Sequence, residues 1–449
     1  MRPDVDDRQE DDGSAARSAA RSGVDQPNLI PPADVPRLSV RMWLLVAAVG
    51  VVTGLAGAAL MEVLHLTSHL TYGYHSGPFL AAVERSDPER RVVALAVAGA
   101  IAGLGWWCLR RRFGSGGTEV SAALWRREGR MPLIPTLATG LLSIVIVGMG
   151  ASLGREGAPR QWGAALAGRF SDWAGMTSAH RRLLAACGAG AGMACVYNVP
   201  LGGALLTLEV MLGTFSLRLV LPAVASSCIA TAVAWVALPN APSYQVGQLH
   251  GSASLIVFAV LLGPIAGLAA TGYTRLIAIA HRNRPQGRGL LVAPLLIFTV
   301  VGVLAIPYPQ LLGNGKGIVQ LTMDATLAAP MAAALLVLKP LATTASLGSG
   351  ASGGLFTPTL ATGAVLGTLL GDGWSHLWPA SAMGYALIGA AAMLAAAMQA
   401  PIAAVVLILE LTRNIDGLMV PLLFAVTGAT LMSRYLNSPS IYSVRLPAQ

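Results

Sequence analysis

Residues 150–159 read Gly-Ala-Ser-Leu-Gly-Arg-Glu-Gly-Ala-Pro, and residues 350–359 read Gly-Ala-Ser-Gly-Gly-Leu-Phe-Thr-Pro-Thr. The same glycine-rich start recurs in the two halves of a very apolar chain. The first copy continues with Arg155 and Glu156, and the second with a leucine and a phenylalanine. In a membrane, irregular backbone and carboxylates are tolerated only where they are buried in protein or line a cavity. The repeated stretch is therefore the best indication of where the chain does its work.

The composition is that of a membrane protein. Of the 449 residues, 54% are hydrophobic and only 11% are charged, whereas a soluble domain has about 25% charged residues. A span needs roughly 20 residues, and nine apolar stretches are candidates: 42–65, 92–109, 134–152, 217–238, 253–280, 290–306, 331–347, 384–412 and 418–436. Shorter apolar pieces at 183–196, 201–213 and 356–370 are typical of the broken helices of transporters. The sequence predicts an all-α, polytopic membrane protein.

Residues 1–40 form a separate segment. The first 37 residues hold eight acidic residues and five arginines with no apolar face, which predicts a disordered tail. The first apolar run begins near Met42 and is expected to be an uncleaved span rather than a signal peptide. The net charge of +9 comes largely from arginines in short loops such as Arg110–Arg112. This pattern indicates positive-inside topology and lipid contact rather than nucleic-acid binding.

Further landmarks recur in order and predict a duplicated domain. Gly114-Ser115-Gly116 precedes the first motif, and Gly313-Asn314-Gly315 precedes the second. In each half a proline lies nine residues before a glutamate: Pro200 with Glu209, and Pro401 with Glu410. We expect a first membrane repeat at 41–240, a second at 250–440 and a C-terminal segment at 441–449 with no further folded domain. An odd number of spans per repeat would make the repeats inverted.

The motif residues point to an anion site. Ser115, Glu156 and Phe356 each follow glycines at the start of a helix-like run. Helix N-termini present unpaired N–H groups and a positive dipole end, so several that converge would bind an anion without a full positive charge. A bound ion must also leave, which favours backbone amides and a neutral hydroxyl over arginine. An ionised Glu156 would compete with the anion, and a protonated or displaced Glu156 would open the pathway.

These residues resemble the CLC chloride channels and transporters over residues 40–446. The family signatures GSGIP, GREGP and GxFxP stand here as Gly114-Ser115-Gly116-Gly117-Thr118, Gly154-Arg155-Glu156-Gly157-Ala158 and Gly354-Leu355-Phe356-Thr357-Pro358. Tyr442 matches a tyrosine near the C-terminus that is a further family landmark. Each short motif alone is weak, but all of them in order, with the duplication, are specific.

The resemblance implies two antiparallel repeats of tilted, broken helices, assembled as a homodimer with one pore per subunit and with cytoplasmic termini in the cell membrane. It implies that chloride is held by the hydroxyls of Ser115 and Tyr442 and by the amides of Leu355 and Phe356, beside a gate at Glu156. The flanking GREGP residues Gly154, Arg155 and Gly157 belong to the same site. A serine at position 115 goes with chloride preference, and a proline there goes with nitrate in some plant members. Small anions and membrane lipid are the expected partners, and no cofactor is expected.

Several positions depart from the family pattern. Thr118 and Ala158 replace prolines, and Arg160 is an unusual charge on an apolar run. Proton-coupled exchangers of the family commonly carry Glu-Glu where this chain has Glu209-Val210. Because valine carries no proton, the sequence favours an uncoupled chloride channel over a proton/chloride antiporter, which stays the alternative.

Other function classes fit less well. The seven histidines include no HExxH motif, and no Ser/His/Asp grouping stands out, so neither an enzyme nor a metal site is predicted. A cation-coupled transporter would need acidic residues in its spans, and the candidates are Glu62, Glu156, Glu209 and Glu410. We expect Glu209 and Glu410 to be structural, and the only two lysines, Lys316 and Lys339, receive no role.

Overall fold

The computed structural model describes residues 38–114, 117–247, 249, 251–414 and 417–446. This part of the chain folds into seventeen α-helices and no β-strand: α1 Val40–Tyr72, α2 Phe79–Arg85, α3 Pro88–Phe113, α4 Val120–Arg126, α5 Leu133–Gly148, α6 Gly157–Trp173, α7 Ser178–Tyr197, α8 Pro200–Leu205, α9 Leu217–Ala234, α10 Ala253–Arg282, α11 Gly289–Leu304, α12 Lys316–Met323, α13 Ala329–Gly348, α14 Phe356–Ser375, α15 Ala382–Met398, α16 Pro401–Thr412 and α17 Met419–Tyr435. A π-helical segment, Leu206–Leu212, continues α8, and 3-10 turns lie at Pro309–Leu311 and Ser443–Arg445. The predicted all-α fold is confirmed. The predicted disorder of the tail concerns residues 1–37, which lie outside the described residues.

Within the described ranges, five helices are long and apolar enough to cross a membrane: α1, α3, α9, α10 and α13. The apolar run 384–412, expected to be one span, is instead divided between α15 and α16. The division lies at Gln399, whose φ of 58° ends α15, and at Pro401, which begins α16. A proline is favoured at the first helical position but breaks a helix interior. Hydropathy alone cannot distinguish such a broken pair from one long helix.

The same break occurs in the first half of the chain. Asn198, with a φ of 58°, ends α7, and Pro200 begins α8. A positive φ is uncommon for a residue other than glycine, yet Gln399 and Asn198 adopt it at corresponding positions of the two halves. The duplication read from the sequence therefore extends to the backbone conformation.

Helix crossings also correspond between the halves. In the α6–α7 crossing, a Cβ atom built on Gly163 would lie 2.1 Å from the carbonyl oxygen of Gly188. In the α14–α15 crossing, a Cβ atom on Gly363 would lie 2.5 Å from the carbonyl oxygen of Gly389. Glycine lets helix backbones approach this closely within a membrane, where packing rather than the hydrophobic effect drives association. These crossings fix the helices whose N-termini form the candidate site.

Two glutamates join the halves by capping each other's short helices. The carboxylate of Glu209 accepts hydrogen bonds from the amides of Ile402 and Ala403, at 3.2 and 2.6 Å. The carboxylate of Glu410 accepts from Leu201 and Gly202, at 3.0 and 2.6 Å. The first amides of a helix have no partner within it, so each carboxylate satisfies two otherwise unpaired donors of the other half. The expected structural role of both glutamates is confirmed.

Candidate anion site

The two copies of the glycine-rich motif meet in space. Gly154 and Gly354 form an antiparallel bridge, with N–H···O distances of 2.7 and 2.8 Å in the two directions. A Cβ atom on Gly354 would lie 1.9 Å from Oε1 of Glu156, and one on Gly154 would lie 2.2 Å from it. A side chain at either position would displace the Glu156 carboxylate from the place it occupies here.

Glu156 lies at the N-terminus of α6 and is fully buried. Its Oε1 accepts a hydrogen bond of 2.8 Å from the amide of Phe356, the first residue of α14. Leu355 caps this helix and is also buried. A helix N-terminus favours a negative group through its free amides and its dipole. The carboxylate thus occupies a position at which the N-terminus of α14 would otherwise hold an anion.

Two further side chains contact the other carboxylate oxygen, and the sequence analysis missed both. The Tyr197 hydroxyl donates to Oε2 of Glu156 at 3.0 Å, and it also forms a hydrogen bond with the Thr357 hydroxyl. The Thr357 hydroxyl lies 3.5 Å from the same carboxylate oxygen. Thr357 was within a quoted motif, but Tyr197 ends a buried helix, where a tyrosine is indistinguishable from a packing residue.

Arg155 lies beside this network without forming an ion pair with Glu156. Its guanidinium carbon stands 4.9 Å from the ring centre of Tyr197, within the range of a cation–π contact. The Tyr197 ring in turn packs 5.5 Å from the ring of Phe356. Gly157 packs closely as well, because a Cβ atom there would lie 2.8 Å from the Gly354 nitrogen. The GREGP residues therefore surround the Glu156 carboxylate.

Tyr442 lies elsewhere in the described structure, in a buried position at the end of the chain. Its hydroxyl donates to the sulfur of Met398 at 3.6 Å, and its ring lies beneath Arg160 with the guanidinium carbon 4.7 Å from the ring centre. No hydrogen bond between Tyr442 and Glu156 occurs among the described residues. A thioether is a weak acceptor, and the Arg160 side chain also lies within hydrogen-bonding reach of this hydroxyl.

Ser115 and Gly116 lie outside the described residues, so the role of Ser115 stays a prediction. The described chain resumes at Gly117, whose φ is 89°. A Cβ atom on Gly117 would lie 3.1 Å from the hydroxyl oxygen of Thr139 on α5.

Lys339, to which the sequence analysis gave no role, is buried and forms hydrogen bonds to two loops. Its ammonium donates to the hydroxyl of Ser152 at 2.9 Å and to the carbonyls of Leu311 and Gly313 at 3.0 and 2.7 Å. All three ammonium donors are satisfied. Lys339 thereby holds the loop before Glu156 against the loop that begins α12.

Val210 lies in the π-helical segment after α8 and is fully buried. The neighbouring Met211 carbonyl accepts a hydrogen bond of 3.1 Å from the indole of Trp125. Segments of π-helix are rare and frequently lie at functional sites. Glu209, one residue before Val210, is held by two amides of α16.

Comparison with known proteins identifies the family of the chain. The family model described as voltage gated chloride channel matches residues 94–434. The chain belongs to this family of chloride channels and transporters, as its motifs indicated.

Individual relatives cover almost the whole chain. The voltage-gated ClC-type chloride channel ClcB of Salmonella typhimurium is 31% identical over 423 residues, which are 90% of this chain and 98% of that protein. ClcB of an Escherichia coli strain is 32% identical over 422 residues, with the same coverage. The match extends over both repeats.

Solved structures share the fold at lower sequence identity. A slow cyanobacterial Cl-/H+ antiporter superimposes with a TM-score of 0.79 at 22% identity, over 91% of this chain and 97% of that chain. A CLC-type fluoride/proton antiporter gives 0.71 at 19% identity, over 92% and 100% of the two chains. These similarities confirm a CLC-type fold of helical repeats.

Proposed function

We propose that this protein conducts chloride across the cell membrane through a pathway that Glu156 opens and closes. The observation that carries the proposal is the buried hydrogen bond from the Phe356 amide to the Glu156 carboxylate. A carboxylate bound there is a tethered anion in a place suited to a free one. Family membership and the relatives named as chloride channels support chloride as the permeating ion.

Opening of the pathway follows from the same contacts. While it is ionised, the Glu156 carboxylate holds the amide of Phe356 and the hydroxyl of Tyr197. A proton weakens both bonds because hydrogen bonds to a charged acceptor are about twice as strong as neutral ones. Chloride at the same amide would displace the carboxylate by competition. Flux should therefore increase with acidity and with chloride concentration.

The chloride site in this proposal combines the amides of Leu355 and Phe356 with the hydroxyls of Ser115 and Tyr442. Amides and hydroxyls bind an anion without a fixed charge, which lets the ion leave again. The Met398 sulfur is a weak partner for the Tyr442 hydroxyl, so a chloride ion would be a better acceptor. Ser115 would favour chloride over nitrate. Neither a cofactor nor a catalytic step enters the proposal.

We favour an uncoupled channel over a proton/chloride antiporter because of Val210. The valine side chain is buried and carries no proton, and the adjacent Glu209 carboxylate is bound by two amides of α16. A proton therefore has no carrier at position 210, where coupled exchangers commonly have a glutamate. The antiporters among the solved structures share the fold with this chain, and coupling is the alternative outcome of the test below.

The test is chloride efflux from proteoliposomes of the purified full-length protein, with external pH recorded at the same time. A channel releases chloride only when valinomycin and potassium balance the charge, and without proton uptake. Chloride release with proportionate proton uptake would make the protein an antiporter and show that protons bypass Val210. Flux that depends on sodium or potassium and not on chloride would favour a cation-coupled transporter and refute the proposal.

We further propose a homodimer with one pathway per subunit and with both termini in the cytoplasm. The six residues of α8 and the twelve of α16 are too short to span a membrane. Yet Leu201 and Ile402 on these helices are about half exposed, and a second subunit would cover such apolar surface. Cross-linking in native membranes should give a dimer, and a protein that stays monomeric in lipid would refute this assembly.

A further inference from the structure

Arg160 is a buried cation that forms no ion pair in the described structure. Its side chain lies on α6, one turn after Glu156, and only 6% of the residue is exposed. No Asp or Glu of the described ranges lies within ion-pair distance of it, and its Nε has no hydrogen-bond partner there. Arginine keeps its charge inside a protein. A buried charge of this kind is costly unless another group compensates it.

The compensation that the structure does show is the ring of Tyr442. The Arg160 guanidinium carbon lies 4.7 Å from the centre of that ring, which is a cation–π contact. This contact leaves the charge itself unneutralised. The Tyr442 hydroxyl donates to a methionine sulfur, which is a weak acceptor, and lies within reach of the Arg160 side chain. Two groups that each suit an anion, a guanidinium and a weakly engaged hydroxyl donor, thus belong to one buried pair.

The fold itself does not require a charge at this position. The helix of the second half that corresponds to α6 is α14, and Leu360 stands there two hundred residues after Arg160. Leu360 is fully buried in an apolar setting. The arginine is therefore specific to the first half, which also carries Glu156.

We propose that Arg160 and Tyr442 form an anion subsite in which Arg160 supplies the fixed positive charge and a small monovalent anion supplies the missing counter-charge. The inference rests on the proposed function, because it adds a residue to the pathway assigned to chloride. Its consequence is tighter anion binding than amides and hydroxyls alone would give. Turnover is correspondingly slower, because an ion held by a buried charge leaves less readily.

The first test measures chloride affinity by calorimetry on the purified full-length protein, with isethionate as the replacement anion. Arg160→Gln should weaken chloride binding about tenfold or more, since a buried charge interacts strongly at close range. Arg160→Lys keeps the charge and should stay within about threefold of wild type. Arg169→Gln is the matched control, because it removes the same charge from an exposed position on the same helix.

The outcomes distinguish a failure of the Arg160 subsite from a failure of the proposed chloride transport. If Arg160→Gln and Arg169→Gln both bind chloride as the wild type does, the subsite is refuted and the chloride pathway stands. If the wild type itself neither binds nor transports chloride, the proposed function fails. Chloride should also raise the thermal midpoint of the wild type more than that of Arg160→Gln, which a purely structural role of the arginine would not produce.

A second measurement needs no variant and covers the case in which Arg160→Gln does not fold. Crystals of the wild type grown in bromide should show an anomalous peak in contact with the Arg160 guanidinium. Bromide bound elsewhere in the pathway, the Tyr442 hydroxyl alone included, with none at Arg160 would overturn the proposal.

Discussion

If Glu156 gates the pathway as proposed, the Tyr197 hydroxyl should stabilise its closed position, and Tyr197→Phe tests by how much. The substitution removes one oxygen atom, which donates to Oε2 of Glu156 at 3.0 Å. The ring stays, with its contacts to Phe356 at 5.5 Å and to the Arg155 guanidinium at 4.9 Å. The change therefore isolates the hydrogen bond from the packing around it.

The magnitude follows from the kind of bond that is lost. A hydrogen bond to a charged group contributes about 1.5–3 kcal/mol, which is about a 10- to 150-fold change in an equilibrium constant. The Thr357 hydroxyl lies 3.5 Å from the same carboxylate oxygen and can turn toward it once its tyrosine partner is gone. We therefore expect the lower end, about a tenfold shift from the closed toward the open position.

The assay is chloride flux from proteoliposomes as a function of external pH. In Tyr197→Phe the pH of half-maximal flux should rise by about one unit. If the closed position is tenfold less favourable, a roughly tenfold lower proton concentration is enough to open the pathway. Tyr197→Phe combined with Thr357→Val should shift it further, since the substitute donor is then absent. Tyr385→Phe is the matched control, because its buried hydroxyl makes only a 3.4 Å contact to the Trp378 carbonyl. A flux profile of Tyr197→Phe that coincides with the wild type would refute the reasoning.

Three further changes test other parts of the site. Glu156→Gln should abolish the pH dependence of flux while conduction persists, and a pH profile that persists would show that another group controls opening. Ser115→Pro should raise nitrate flux relative to chloride flux in the same vesicles, and an unchanged ratio would remove Ser115 from the selectivity site. Lys339→Met leaves the buried acceptors of Lys339 without a donor, at a cost of about 1–3 kcal/mol each, so its thermal midpoint in detergent should fall. Lys316→Met is the matched control at an exposed position, and its thermal midpoint should stay at the wild-type value.

The sequence predicted the centre of the site because the two motifs carry its chemistry in their own residues. Glycines followed by Glu156 in one half and by Phe356 in the other indicated two helix N-termini and a carboxylate, and the structure brings these groups together. The prediction succeeded where function depends on backbone geometry that only glycine permits.

The partners of these motif residues could not be predicted, because they come from distant parts of the chain. Tyr197 lies forty-one residues after Glu156 and ends a largely buried helix that is rich in alanine and glycine. Arg160 was noticed as an unusual charge, but its contact with Tyr442 depends on how the C-terminal segment folds back. The break at Gln399 was missed because the apolar run around it is long enough for one span, although Gln399 and Pro401 lie within it. Pairwise contacts of this kind leave no periodic pattern in a single sequence.

In the proposed function, a duplicated scaffold with unequal charges would account for opening and closing. The duplication supplies two equivalent helix N-termini, but Glu156 at one corresponds to Phe356 at the other. Two carboxylates at these positions would compete for the same amides and repel each other, which would keep one of them protonated. Two phenylalanines would leave the amides free and the pathway without a pH-sensitive group. In the proposed pathway, one half therefore supplies the movable charge while the other supplies the amide that receives it, and this unequal pairing would let a proton or a chloride ion exchange with Glu156.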